Sequence, residues 1–417
     1  MSGTPAHQDA YRRAASAPTA GLLALGGVLA VAGLGLFVVL ALGSDPARAW
    51  RMFLVDFLFF TGVAAGAVIF AATQKITKGT WAGPIIRFAE AGVAFLPVAL
   101  VLFLVLFLGR DHVFPWIAHP TPVRGKWLTV PWVFWRDLVS LLAVSGVAGA
   151  FVWHELKPDV AAVREQTTGW RRRLYDRIVG DYTGAPEQVE RLARRVNQLA
   201  PLLCLLYAYL FSLLAFDLIM SLALSWHSTL FGAYYFMGAF LTGLTMLGLM
   251  TVYWRGRLGL HALIGRQQFH DLGKLIFGFT IFWGYLTYSQ LIVIWYGNLP
   301  DETSWVFYRM WSGWQPVAVL VLILVFVVPF WGLIWVRAKV SPLTFTLFAA
   351  ISSLGMWLER FLQVQPSLVA TPQLGVPEIG ISLGFLGLFL LAYGLFARAF
   401  PMVSPRLAEE ALEPSHH

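Results

Sequence analysis

The chain has 417 residues, 58% of them hydrophobic and only 12% charged, against about 25% charged in an average soluble domain. A mean hydropathy of +0.68 excludes a water-soluble enzyme. The net charge of +8 does not point to nucleic acid, because the basic residues fall between apolar segments, where membrane topology accounts for them. The lone cysteine, Cys204, excludes an intrachain disulfide framework and an iron–sulfur cluster held by this chain's cysteines alone.

Seventeen polar residues lead into a long Ala/Gly/Leu segment without a small-residue cleavage signal, which reads as an uncleaved first span. Apolar segments then predict ten spans: 18–43, 52–73, 87–109, 130–153, 199–224, 230–254, 269–296, 315–336, 341–364 and 379–400. Each supplies the roughly 20 residues that cross about 30 Å of hydrocarbon at about 1.5 Å per residue. The expected fold class is therefore an all-α polytopic membrane protein, one integral domain over residues 1–417, with a long cytoplasmic loop at 154–198 inside it. Assigned alternately to the two sides, 21 basic residues lie with the N-terminus and 6 on the other side, which places both termini in the cytoplasm.

Within the 154–198 loop, Arg171-Arg172-Arg173 and the run to Arg195 predict lipid-headgroup contact or a docking surface for a partner, and a short amphipathic helix is expected near 186–197. On the other side, Pro115, Trp116, Pro120, Pro122, Trp127, Pro131 and Trp132 mark an ordered interfacial segment. Pro97 and Pro329 sit inside spans and free the carbonyls of Val93 and Val325, so both helices should bend. The small residues of Gly62–Gly66 and Gly238–Gly243 predict close helix packing.

The informative exceptions are ionisable groups inside the apolar segments. A charge exposed at the bilayer centre costs about 2.5–3.5 kcal/mol on insertion scales, so such groups face a bundle interior, a wet cavity or a partner charge. Asp56, Asp137, Asp217, Glu359 and Arg360 map to the outer leaflet, one or two turns from the surface, with Tyr285, Tyr288 and Gln290. Arg87, Glu90, His154, Glu155, His270, Asp271 and Lys274 form an inner layer, in which Arg87/Glu90 and Asp271/Lys274 are three apart and share a helix face. Neighbours such as Asp137 with Arg136, or Glu359 with Arg360, point in different directions, so their partners are expected on other helices. No histidine lies near a span centre to ligate haem, and His112 and His119 lack co-ligands for a metal. No Gly-rich nucleotide loop follows a strand pattern. Carboxylates, imidazoles and phenols exchange protons through water, and a quinol headgroup needs a proton acceptor and a donor, roles open to Asp217, His227 or Tyr288.

Three stretches carry a resemblance: Asp56-Phe57-Leu58-Phe59-Phe60-Thr61-Gly62, His270-Asp271-Leu272-Gly273-Lys274, and Tyr288-Ser289-Gln290 through Trp295-Tyr296-Gly297-Asn298-Leu299-Pro300-Asp301-Glu302-Thr303. With ten spans over nearly the whole chain, they resemble the NrfD/PsrC-type integral membrane subunits, most closely one of the two such subunits of bacterial alternative complex III, a quinol:electron-acceptor oxidoreductase. The resemblance implies two related four-helix bundles plus two extra helices, in a bacterial cytoplasmic membrane. It implies as partners a second NrfD-type subunit, an iron–sulfur protein, haem c subunits, small membrane subunits and lipids, the haem c and iron–sulfur clusters belonging to those partners and no cofactor to this chain. Its implied role is a proton pathway coupled to quinol oxidation, with quinol chemistry on the paired subunit. The expected outer half is Asp56, Asp137, Asp217, Tyr288, Glu359 and Arg360, and the inner half Glu90, His154, His270, Asp271 and Lys274. Direct quinol binding here, a structural anchor and an independent secondary transporter are the other readings.

Overall fold

A computed structural model describes residues 5–43, 45–120 and 125–412; Pro122, Arg124, His416 and His417 lie outside the described residues. Among the described residues the regular structure is helical, with no strand. Ten helices are long and apolar enough to cross a membrane: His7–Ala41, Pro46–Thr77, Gly83–Val113, Val130–Gln166, Pro186–Leu222, Phe231–Arg257, Arg266–Gly297, Gln315–Leu333, Pro342–Ser367 and Val376–Ala399, the first to tenth spans below. All ten expected spans are present.

The packing follows a simple plan. The second span packs on the third and fifth, and the fourth on the same two, closing one four-helix ring. The sixth packs on the seventh and ninth, and the eighth on the same two, closing another of the same connectivity. The rings meet where the second and fifth spans pack on the sixth, while the first and tenth spans pack on each other and on the second. The second span is consequently enclosed, all of its most apolar 18-residue window being buried.

Small residues make these contacts close. A Cβ on Gly66 would lie 2.3 Å from the Ala239 carbonyl oxygen, and one on Gly243 2.4 Å from the Ala67 nitrogen. The two glycine-rich stretches thus pack against each other, joining the second and sixth spans by near backbone contact. Both interior prolines perturb the helical turn that precedes them. The turn before Pro97 tightens to a 3-10 helix over Ala91–Phe95, and the turn before Pro329 widens to a π-helix over Leu322–Val327. A proline that cannot donate to its i−4 carbonyl leaves the preceding turn to repack its hydrogen bonds in one of these two ways.

The segment 154–198 carries more helix than a loop. The fourth span continues through Pro158, a second helix covers Gly169–Val179, and the expected amphipathic stretch near 186–197 forms the opening turns of the fifth span's helix, Pro186–Leu218. Pro186 at the first helical position starts that helix, and no break separates its polar turns from its apolar ones.

Long-range bonds gather the chain ends on one face, here the basal face. Met402 N–H donates to the Ala14 carbonyl at 3.0 Å, Arg13 Nε to the Leu258 carbonyl at 2.8 Å, Arg171 Nη2 to the Ala15 carbonyl at 2.6 Å, and Tyr175 Oη to the Ala399 carbonyl at 2.9 Å. Burial pushes the Tyr175 phenol up from its ordinary value, which keeps it a neutral donor. The opposite, distal face is tied by Arg48–Glu378 at 2.6 Å, Trp314 Nε1 to the Val369 carbonyl at 3.1 Å, and Arg309, whose guanidinium bonds the carbonyls of Leu362 and Gln363. Those carbonyls end the ninth-span helix, where a cation is favoured by both the orphan acceptors and the helix dipole. Burial pulls Arg309 down to about 9, still high enough to keep it a cation at neutral pH.

Candidate functional site: buried ionisable clusters at two depths

Three clusters lie towards the distal face. Asp56, wholly buried on the second span, accepts from Trp357 Nε1 at 3.0 Å and from Ser382 Oγ at 2.8 and 3.0 Å, so three helices converge on it. It sits ten residues into its helix, about 15 Å from the start at Pro46.

The second cluster joins the fourth and fifth spans. Asp217 accepts from Arg136 Nε at 2.5 Å and from Trp127 Nε1 at 2.8 Å, and the Arg136 guanidinium lies 3.9 Å over the Trp127 ring. Asp137 is buried beside them.

The third cluster belongs mainly to the ninth span. Gln363 bridges its neighbours, donating to Glu359 Oε1 at 2.5 Å and accepting from Arg360 Nη1 at 2.9 Å. Arg360 also donates to the Tyr235 carbonyl at 3.0 Å and stacks 4.3 Å from the Tyr235 ring. Contrary to expectation, the adjacent Glu359 and Arg360 do pair, at 3.1 Å. Both side chains are long enough to fold back towards the shared Gln363, one turn along the helix.

The basal cluster is larger than the sequence indicated. Buried Arg87 bonds both Glu90 and Asp159; Asp159 also accepts from Ser404 Oγ at 2.9 Å. Glu155, one turn from Asp159, pairs with Lys75 at 3.0 Å and Arg406 at 3.2 Å. Four separate parts of the chain, the second, third and fourth spans and the C-terminal segment, thus supply one network of alternating charge. A buried charge is tolerable only when paired and hydrogen-bonded in this way.

Between the two depths run buried hydroxyls. On the sixth span, Gly238 faces the Arg360 guanidinium, and Thr242 and Thr245 follow at helical spacing, bonded to the carbonyls of Gly238 and Thr242 at 2.7 and 2.9 Å. On the ninth span, Ser352 lies two turns from Arg360 on the same face. Its hydroxyl, like that of Thr61 on the second span, finds no hydrogen-bond partner among the described residues.

Neither a protein-family model nor a curated protein matches the chain. Among the described residues, no group of three or more His, Cys, Asp and Glu side chains is placed to hold a metal ion.

Several residues singled out from the sequence stand apart from these clusters. Tyr288 is 62% exposed on the outer surface of the bundle, and Tyr285 is 61% exposed. His227 is exposed in the connection between the fifth and sixth spans. His154 Nδ1 bonds its own helix at the Ala150 carbonyl, 2.7 Å away. Asp271 pairs with Lys274 at 2.6 Å and lies 3.8 Å from His270, a half-exposed group at the start of the seventh span. Conversely, Lys75, Asp159, Arg406, Ser404, Trp127 and Gln363 enter the clusters without having been assigned to a route. Asp159 had a readable signal: it lies four residues after Glu155, on one helix face, once the helix is allowed to run through Pro158.

The Glu359 cluster borders a cavity of about 300 Å³ between the seventh, eighth and ninth spans. Tyr234, Trp283, Gln290, Trp305 and Gln363 line it with Glu359, and its wall is mostly apolar. The π-helix over Leu322–Val327 begins at its edge, at Leu322.

Proposed function

We propose that this chain is a membrane subunit of a quinol:electron-acceptor oxidoreductase complex in a bacterial cytoplasmic membrane, of the kind found in alternative complex III. In that complex it contributes a proton route coupled to quinol oxidation on a partner subunit. The observation that carries this reading is the pair of buried ionisable groupings, distal and basal, at opposite ends of one helical bundle. Ionisable side chains are costly inside a membrane, and those retained there mark ion pathways and proton relays by default. The basal half of the route is Glu90 and Asp159 held by Arg87, and Glu155 held by Lys75 and Arg406; the distal half is Glu359 with Arg360, Asp56, and Asp137 with Asp217. The hydroxyls of Thr242, Thr245 and Ser352 offer water the hydrogen bonds it needs between the halves. The NrfD/PsrC resemblance supports the assignment to a complex, and the excess of basic residues on the basal face supports a cytoplasmic placement of both termini.

The cavity on Glu359 favours a second reading, direct quinol binding. It offers a carboxylate and three amide side chains, Glu359 with Gln290, Gln315 and Gln363, and an aromatic wall for an isoprenoid tail. Asp217, His227 and Tyr288 do not line it.

One purification tests both readings. The chain, isolated under mild detergent from its native membrane, is expected to bring with it haem c, iron–sulfur protein and a second subunit of similar span count. A stable monomer without haem or iron would contradict the assignment to a complex. A quinone photolabel applied to the same particle separates the readings: recovery on the partner supports the proton route alone, and recovery at Gln290 or Trp311 supports binding here.

A further inference from the structure

Asp137 and Asp217 face each other across the fourth and fifth spans in very different settings. Asp217 is wholly buried, yet both carboxylate oxygens are occupied, Oδ2 by Arg136 Nε at 2.5 Å and Oδ1 by Trp127 Nε1 at 2.8 Å. Ser221 Oγ bonds its backbone carbonyl at 2.5 Å, and Ser140 Oγ bonds that of Arg136 at 2.7 Å, fixing both helices around the pair. One arginine balances one carboxylate, and this ion pair is complete without Asp137.

Asp137 is also wholly buried, but neither of its oxygens accepts a hydrogen bond from any described residue. The charged groups acting on it are the Asp217 carboxylate, within side-chain hydrogen-bonding reach, and Arg136. A second buried negative charge here would have no donor of its own and a like charge beside it. Two carboxylates sharing such a site do not both ionise. Two facing carboxyl groups satisfy each other when one carries a proton and donates it to the other.

We propose that Asp137 and Asp217 hold one proton between them, with the Asp137 carboxylic acid donating its O–H to the Asp217 carboxylate. Arg136 and Trp127 keep Asp217 as the ionised partner, so the proton resides on Asp137. Loss of that proton leaves a net negative charge on the cluster, and its return restores neutrality; no other bond is made or broken. The occupancy of the pair stands on this local geometry, whereas its use as a store on a transmembrane route rests on the function proposed above.

Infrared spectroscopy of the intact complex at neutral pH tests the occupancy without measuring translocation. The wild type minus Asp137→Asn difference spectrum is expected to contain one carboxylic-acid C=O band that shifts in heavy water. Asp137→Glu should move that band, a control for a variant that merely misfolds. An amide replaces a neutral acid at Asp137 with little change in charge, so Asp137→Asn should keep the thermal midpoint of the wild type. Asp217→Asn should lower it by stranding Arg136. Absence of the band from the difference spectrum, or a wild-type midpoint raised by sodium or potassium, would overturn the proposal, the latter by assigning the site to a metal cation. A band present with unchanged proton translocation in Asp137→Asn would retain the proton pair and remove only its place on the route.

Discussion

Replacing Arg87 by alanine is expected to destabilise the folded chain by about 3–5 kcal/mol, the range for removing one partner of a buried ion network. Arg87 is wholly buried and is the common donor to Glu90 and Asp159, so its loss strands two carboxylates from different spans at once. Lys75 and Arg406 cannot substitute, because both are engaged by Glu155. The check is the thermal unfolding midpoint of the purified protein in detergent, read with the yield of folded material. Neutralising the stranded groups together, as Arg87→Met with Glu90→Gln and Asp159→Asn, is expected to recover much of the loss, since the cost lies in unpaired charge rather than in packing. A wild-type midpoint in Arg87→Ala would contradict the network.

The second large effect is steric. A Cβ on Gly33 would lie 2.3 Å from the Cα and 2.4 Å from the nitrogen of Gly384, with the Gly380 carbonyl oxygen at 2.5 Å. These atoms are backbone and cannot rotate away, so even Gly33→Ala must separate the first and tenth spans. Overpacking of this kind costs about 1–3 kcal/mol, and Gly33→Leu should exceed Gly33→Ala. Gly27, on the same helix, has nothing within 4 Å of its hypothetical Cβ. Gly27→Ala should therefore leave the thermal midpoint unchanged or raised, since alanine also favours helix. Equal losses at the two positions would show that the first and tenth spans are not in backbone contact.

The span count was legible because hydrophobic length is a property of single segments. The ends were less so, because a polar helical turn outside the membrane looks like a loop. The fourth apolar segment reads as ending at 153, yet its helix runs on through Pro158 and carries Asp159 to Arg87. The interior prolines were legible as perturbations but not in kind: sequence alone does not distinguish the 3-10 turn before Pro97 from the π turn before Pro329.

That Asp56, Asp137, Asp217, Glu359 and Arg360 would be shielded from lipid was legible from their type and segment, whereas facing was not. Tyr288 has suitable chemistry at a suitable level but points outward, while Gln290, two residues on, is buried at the cavity. The Trp-Tyr-Gly-Asn-Leu-Pro stretch has a structural meaning of its own. Asn298, at φ +48°, caps the seventh span in the left-handed region, and Pro300 opens the next helix. A tight helix–turn–helix corner requires this kind of punctuation whatever lies beneath it. Partner identity across helices, such as Arg136 with Asp217 or Trp357 with Asp56, depends on which helices meet, and no local pattern encodes that.

A single proton route through the distal and basal clusters would set the proton-to-electron ratio of the reconstituted complex. Glu359→Gln and Glu90→Gln each keep a hydrogen-bonding side chain of nearly the same shape while removing an exchangeable carboxyl proton. In proteoliposomes oxidising quinol, both variants are predicted to assemble, to retain electron transfer, and to translocate fewer protons per electron than the wild type. An unchanged ratio in both variants would contradict the route and leave the buried clusters as structural ion pairs.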